Sequence, residues 1–323
     1  MENVRLQDIA ESLHLSIATV SNVLNGKDHK VSAATRARVM KAIEKAGYLP
    51  ERAEVLLGRN PSRIIGLVLN DHSLYEGSPL EDPYIASFIS ALQKSARAHQ
   101  LDLLVRPVKT WKEAEEFASI WNMQGLVMTG FCEADYVSLR QALHIPLAVC
   151  DSLNPPEGFS SIQSEDRKGG ELIGKHLRNL GHSRTLCITI DVESSDLERI
   201  KGLKEAGLEV EIGLVSEERK QRMEQLKAMD YSQFSSVVCL SDRFAIEVLS
   251  VLYEKGIRVP QDLSVVGYDG IPAGEYSAPP LTTLAQAIEQ KAELAICSLE
   301  QKPASYISEV SLIIRNSTGV AHE

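Results

Sequence analysis

From Ile64 onward the chain alternates between two kinds of segment. Short apolar runs are each followed by a longer stretch whose apolar residues recur at helical spacing. Ile64-Ile65-Gly66-Leu67-Val68-Leu69 is the first run, and residues 84–98 form the first amphipathic stretch. Strands at 101–105, 125–129, 147–150, 185–190, 236–240 and 263–267 are expected, interleaved with helices at 112–120, 169–180, near 197–206 and at 243–255. A run with no polar alternation is buried on both faces, which parallel strands joined through covering helices achieve. Roughly 260 residues follow this pattern, more than one core usually holds, so two such lobes are expected. Ligands in these folds bind beyond the carboxyl ends of strands. The polar residues just past each strand are therefore the candidates for a site.

The first 50 residues follow another rule. Leu6, Ile9, Ala10 and Leu13 share one helical face, His14-Leu15 make a turn, and Ser16 is a good N-cap for a second helix. In that helix Val20, Val23 and Leu24 face inward, and Gly26 ends it. Ser32 caps a third helix with Val39, Ala42 and Ile43 on its apolar face, closed by Gly47. Spacing alone leaves two readings open: a small bundle for protein contacts, or a helix-turn-helix that reads DNA. A junction at 50–60, between Pro50 and Pro61, separates this unit from the rest.

Net charge is −10, but it is unevenly placed. Residues 1–59 hold 9 lysines and arginines against 7 acids, while the remainder holds 25 against 37. Phosphate contact needs only a local basic face. A balance of +2 predicts weak non-specific binding and a dependence on dimerisation. The five cysteines, Cys132, Cys150, Cys187, Cys239 and Cys297, are scattered, odd in number and not at metal-ligand spacing. They predict no disulfide framework, no metal and a reducing compartment. No apolar run approaches the ~18 residues that span a bilayer, and Met1-Glu2-Asn3-Val4-Arg5-Leu6 does not open a signal peptide. A cytoplasmic chain with no membrane partner is expected. No Gly-x-Ser-x-Gly elbow, P-loop or His-Glu-x-x-His is present, so an enzyme is not expected.

Several motifs bear on the open question in the first unit. They are Ala18-Thr19-Val20-Ser21-Asn22-Val23-Leu24-Asn25-Gly26, then Val31-Ser32, Thr35-Arg36 and Ala46-Gly47-Tyr48-Leu49-Pro50. Farther on stand Ile65-Gly66-Leu67-Val68, Leu180-Gly181-His182, Val259-Pro260-Gln261-Asp262-Leu263-Ser264-Val265-Val266-Gly267-Tyr268-Asp269, Pro279-Pro280-Leu281-Thr282-Thr283 and Arg315-Asn316-Ser317-Thr318. In this order they resemble the LacI/GalR family of transcriptional regulators. The resemblance implies an all-α helix-turn-helix headpiece at 1–49 and a hinge at 50–60. It implies a two-lobed α/β periplasmic-binding-protein-like domain at 61–323, of parallel sheets flanked by helices. Lobe one is expected at about 61–158 and 287–315, and lobe two at about 159–286 and 316–323. The implied function is a repressor that binds a near-palindromic operator as a homodimer under control of a small-molecule effector. No cofactor is implied.

By the same resemblance Ile17, Ala18 and Asn22 read bases, and Thr19, Ser21 and Asn25 hold the DNA backbone, with Leu6 and Ser16 in the same surface. Hydroxyls and amides suit phosphate, and an amide pairs bidentately with adenine. Arg is common in the family where Asn22 stands, so an altered operator base is expected there. His14 replaces a usual Gly, and His tolerates a left-handed backbone better than most residues. In the hinge, Leu57 takes the position that inserts into the minor groove, and Arg52 is placed in the DNA-binding surface. Glu51 and Glu54 depart from the usual neutral residues, with Arg52 and Arg59 to offset them.

The resemblance places the effector against Asn70, Asp71, Tyr84, Asp151, Arg199, Ser241, Asp242, Asp269 and Gln286, most of them just past strand ends. Carboxylates and an Arg fork suit hydroxyl groups, and an aromatic face suits a sugar ring. A neutral polyol such as a sugar is expected. A purine or nucleoside effector, or control by a protein corepressor, stays open. The loop from Asn70 to Pro83 looks long and the segment 208–234 compressed.

Overall fold

The computed structural model describes residues 6–24, 31–46, 63–71, 78–131, 133–152 and 157–321. The chain divides into two compact units, Met1–Ser62 and Arg63–Glu323.

In the first unit α1 spans Leu6–Ser12, α2 Ile17–Leu24 and α3 Ala33–Ala46. Ser16 Oγ accepts from the backbone N–H of Thr19 at 3.1 Å, and Ser32 Oγ does the same for Thr35 at 3.2 Å. Each serine thereby satisfies a donor that a helix start leaves unpaired. His14 carries φ 52° in the turn, the left-handed conformation its position requires. Ile9, Ala10, Val20, Val23 and Val39 are buried together, with Leu13, Leu15, Val31, Ala42 and Ile43 packed around them. The predicted apolar faces are the faces that meet. Arg38 donates to the Leu13 carbonyl at 3.3 Å, tying α3 to the turn. Asn25, Gly26, Gly47 and the whole junction 50–60 lie outside the described residues.

The second unit holds two six-stranded sheets. In the first the spatial order is β11 (Ser305–Ser308), β5 (Ser160–Ser164), β4 (Leu147–Cys150), β3 (Gly125–Thr129), β1 (Ile64–Asn70), β2 (Asp102–Val108), all parallel. In the second it is β12 (Val310–Ile313), β10 (Thr282–Gln286), β9 (Ser264–Asp269), β8 (Ser236–Cys239), β6 (Arg184–Thr189), β7 (Glu209–Leu214). Only β12, antiparallel to β10, breaks the parallel pattern in that sheet.

Successive residues of β1 take opposite faces. Ile65, Leu67 and Leu69 pack under α4 (Pro83–Ala98) and α11 (Ile288–Ser298). Val68 packs on the other face, under α5 (Trp111–Ile120) and α6 (Glu133–Ala142). In lobe two α9 (Arg219–Ala228) and α10 (Asp242–Glu254) cover one face, and α7 (Asp166–Asn179) and α8 (Ser194–Glu205) the other. Gly170 and Gly202 let α7 and α8 approach closely. A Cβ on Gly170 would collide with the Arg199 carbonyl, and one on Gly202 with the Arg167 carbonyl.

Two expected boundaries move. β5 joins the first sheet and β12 the second, so the chain changes lobe after Ser164, at Ala287 and at Glu309 rather than near 159 and 316. The physical reason lies in β5 itself. Ser160, Ser161 and Ser164 are buried through hydrogen bonds, so the strand carries no apolar signal. At the crossover Glu165 N–H donates to Ser308 and Ala287 N–H to Glu309, which holds the three passages side by side. The segment 208–234 holds β7 and α9. Among the described residues no helix is long and apolar enough to cross a membrane. Cys150, Cys187 and Cys239 are buried free thiols in strands, and Cys297 is partly exposed on α11.

Candidate functional site

The headpiece presents α2 outward at its N-terminal end. Ile17, though apolar, is 49% exposed, and Ala18 beside it is exposed too. Ser21 and Asn22 lie one turn farther along the same two faces and are half-buried. Ser16 and Thr19 share a hydroxyl–hydroxyl bond of 2.9 Å, which fixes both at the helix start. Leu6 opens α1. Asn25, Arg52 and Leu57 lie outside the described residues.

In the second unit the ends of β3, β4, β6, β8, β9 and β10 surround a cavity of about 250 Å³ lined from both lobes. Its lobe-one wall is built on a lysine. Lys291, on α11, is completely buried. Its Nζ donates to Asp151 Oδ1 at 2.6 Å, Tyr84 Oη at 2.8 Å and Gln286 Oε1 at 2.8 Å. The Tyr84 hydroxyl lies 3.3 Å from Asp151 Oδ2 and 3.2 Å from Gln286 Oε1, and Ser164 also donates to Gln286. Asp151 adopts φ 60°, which turns its carboxylate back onto the lysine. Asp82 caps α4 through the N–H groups of Tyr84 and Ile85 and so fixes where the tyrosine starts.

The lobe-two wall is built on an arginine. Arg199, on α8, donates from Nε to Asp166 Oδ1 at 2.8 Å. Its Nη1 donates to Asp196 Oδ1 at 3.0 Å and to the Leu240 carbonyl at 3.1 Å. The guanidinium stacks 3.8 Å from the Tyr268 ring, whose hydroxyl donates to the same Asp166. Asp269, at the end of β9 with φ 118°, accepts from Gln286 Nε2 at 3.1 Å. Gln286 is therefore the one residue bonded directly to both walls among the bonds described.

The site is acidic and its acids are held unusually. Burial pushes the Asp269 carboxyl well above the ordinary carboxylate range, Asp242 adding to the rise and Arg199 opposing it. Burial also raises Asp196, against Arg199 and Thr189, which lower it. Burial, with Asp151 next, raises the Tyr84 phenol, so it stays a donor. Burial that favours the neutral carboxyl lets it donate as well as accept. Such a wall suits a ligand with several hydroxyls better than one with a negative charge. Arg243 Nη1 stands 3.8 Å from Asp82 Oδ2 across the cavity mouth. Both residues also line an adjoining cavity of about 370 Å³.

Tyr84, Asp151, Arg199, Ser241, Asp269 and Gln286 all line the smaller cavity. Asn70, Asp71 and Asp242 are not among its lining residues. Asn70 donates to the Gly130 carbonyl at 2.7 Å, and Asp71 lies 4.0 Å from Lys109. Asp242 is buried at the start of α10, accepting from Thr283 Oγ1 at 2.5 Å and from the Ile271 N–H at 2.8 Å. It joins α10 to β10 rather than facing the cavity. Sequence reasoning passed over Lys291, although a signal was present. The residue occupies the apolar stripe of Ile288, Ala292, Ala295 and Ile296, where a lysine demands a buried partner. Asp166 and Asp196 were also passed over, since they approach Arg199 only through helix packing.

A helix-turn-helix unit followed by a two-lobed domain with a polar central cavity is the build of a ligand-responsive regulator. Residues 5–51 match the family described as bacterial regulatory proteins, lacI family, and residues 175–318 match a periplasmic binding protein-like domain. The lacI-family match falls in the first unit, and the periplasmic binding protein-like match in the second. It is 27% identical over 302 residues to the HTH-type transcriptional regulator DegA of Bacillus subtilis, covering 88% of this chain and 87% of that protein. It is 28% identical over 318 residues to the HTH-type transcriptional repressor PurR of Mannheimia succiniciproducens, covering 93% and 92%. A crystal structure of the lac repressor dimer bound to operator and the anti-inducer ONPF shares the fold, with TM-score 0.84 at 24% identity, covering 98% of this chain and 100% of that one. A LacI family transcriptional regulator from Enterococcus faecium with bound ribose shares it at TM-score 0.67 and 23% identity, covering 80% and 100%.

Proposed function

We propose that this chain is a cytoplasmic, homodimeric transcriptional repressor whose operator binding is set by a small polyol, such as a sugar, held between the lobes. The observation that carries this reading is the cavity of about 250 Å³ lined from both lobes. A ligand there touches Asp269 and Arg199 on one side and Tyr84 and Asp151 on the other, so its binding energy depends on the lobe angle. Only such differential contact lets a ligand shift a conformational equilibrium. Asn22 and Ala18 read base edges with Ile17 beside them, and Ser16, Thr19 and Ser21 contact phosphate. Leu6, Asn25, Arg52 and Leu57 complete the DNA surface. Asp242 supports the cavity from behind through Thr283 and Ile271. Its ligand leaves unchanged, as suits a sensor rather than an enzyme.

The test is a selection from random duplex DNA by the purified chain, followed by operator titration across a panel of monosaccharides and nucleosides. A near-palindrome with adenine facing Asn22, and a monosaccharide that shifts operator affinity at least ~10-fold, are expected. Failure to enrich any sequence overturns the DNA reading. Enrichment with no response to the panel, in affinity or calorimetry, overturns the polyol reading and favours a protein corepressor.

A further inference from the structure

On the surface of lobe one, away from the cavity, three side chains from two distant parts of the chain converge. His99 closes the C-terminal end of α4, its N–H bonded to the Ser95 carbonyl, and Gln100 turns away behind it at φ 58°. Glu293 and Cys297 stand four residues apart on α11, on one face. His99 Nε2 lies 2.9 Å from Glu293 Oε1, Cys297 Sγ 3.4 Å from the same oxygen, and Cys297 Sγ 3.9 Å from His99 Nε2. The three donor atoms fall within 4.8 Å of one another.

We propose that His99, Glu293 and Cys297 form a binding site for zinc(II). Tetrahedral zinc, with Zn–N and Zn–O of ~2.0 Å and Zn–S of ~2.3 Å, spaces its donors about 3.3–3.6 Å apart. The observed triangle needs a change of only a few tenths of an ångström on each side. An imidazole, a carboxylate and a thiol form a set that selects a borderline transition ion over magnesium or calcium. The second carboxylate oxygen is already held: the buried Ser95 hydroxyl donates to Glu293 Oε2 at 2.6 Å. That leaves Oε1 to the ion and fixes the carboxylate plane, as outer hydrogen bonds do in metal sites. In the metal-free form the imidazole and the thiol both approach Oε1. The ion replaces the thiol proton, which leaves to solvent, and accepts electron pairs from nitrogen, oxygen and sulfur. Glu293 and Cys297 are partly exposed, so water completes the fourth position. The ion then clips the end of α4 to α11, the helix that follows the crossover at Ala287.

The test is titration of tag-free, reduced, full-length protein with cobalt(II), a spectroscopic substitute for zinc. One equivalent is expected to give thiolate-to-cobalt charge transfer in the near ultraviolet and intense visible bands of tetrahedral cobalt, both bleached by zinc. Cys297→Ser removes the charge transfer, His99→Ala abolishes stoichiometric binding, and Ser95→Ala weakens it about 10-fold. Zinc raises the melting temperature of the parent but not of Cys297→Ser. The variants alter surface positions except Ser95, and far-ultraviolet circular dichroism verifies that each is folded. A weak octahedral spectrum without charge transfer overturns the proposal. So does a tetrahedral spectrum unchanged by Cys297→Ser, which places the ion elsewhere.

Discussion

The two walls of the cavity solve one problem in opposite ways. Each must hold a cation where water is scarce. Lobe two surrounds Arg199 with two carboxylates, a carbonyl and an aromatic face. Lobe one gives Lys291 a single carboxylate and a phenol, and Gln286 at the end of β10 in lobe two adds an amide oxygen. Arg199 belongs to α8, positioned by close packing on α7, whereas Lys291 belongs to α11, in its first turn after the crossover at Ala287. An arginine offers five fixed donors and rewards a fully built cage, while an ammonium is a compact charge that three acceptors satisfy. The lobe-two wall is therefore rigid scaffolding, and the lobe-one wall is the one whose partners bond across the lobes.

That contrast orders the effects of breaking each wall. Arg199→Leu leaves Asp166 and Asp196 without their buried partner and is expected to cost about 3–5 kcal/mol in urea unfolding. Lys291→Met should cost less, about 2 kcal/mol, because Asp151 is 29% exposed and water takes over part of its stabilisation. A Lys291→Met cost equal to that of Arg199→Leu would erase the distinction between the walls.

Gln286 sharpens the comparison, since it bonds to Lys291 on one side and Asp269 on the other. The double variant Arg199→Leu/Lys291→Met should depart from additivity by at least ~0.5 kcal/mol, because Asp269, bonded to Gln286, also feels the charge of Arg199. In a Gln286→Ala background, itself costing about 1–2 kcal/mol, that departure should disappear. Persistent coupling without Gln286 would assign it to the long-range field of Asp269 instead.

What was legible in the sequence follows from how local each signal is. Ser16, His14 and Val20 declared the turn and second helix because caps, turns and apolar faces are written within a few residues. The strands of both sheets were legible wherever burial was apolar, as at β1, and illegible at β5, where buried serines replace it. The cavity-lining polar residues were readable from their place after strands. Their partners were not: Lys291 to Asp151 spans 140 residues and His99 to Glu293 spans 194, distances over which no periodicity speaks. Asp242 shows the converse. It stands in the expected place after β8, yet its carboxylate turns toward Thr283 and Ile271, a choice fixed by tertiary packing.

Asp242 also supplies the subtlest contrast, one that pH reads out. Burial pushes its carboxyl up to about 6, against the hydrogen bonds from Thr283, Ile271 and Gly270 that pull it down. An unfolded Asp titrates near ~3.9. Between these values the folded chain holds more protons than the unfolded chain, so stability falls as pH rises. This contribution is fully present below ~3.9 and is lost as pH passes about 6. Asp269 is raised in the same direction, partly by the charge of Asp242. Asp242→Asn keeps the shape, lets the amide accept from Ile271 and donate to Thr283, and removes the charge that burial disfavours, so stability at pH 7 should rise by about 1–3 kcal/mol. The fall in urea midpoint between pH 4 and 6 should become shallower, and what remains should move to lower pH as Asp269 loses its neighbour's charge. An unchanged midpoint profile would mean that Thr283 and Ile271 keep Asp242 ionised throughout. The acid that sets the pH response of lobe two would then be Asp269 alone.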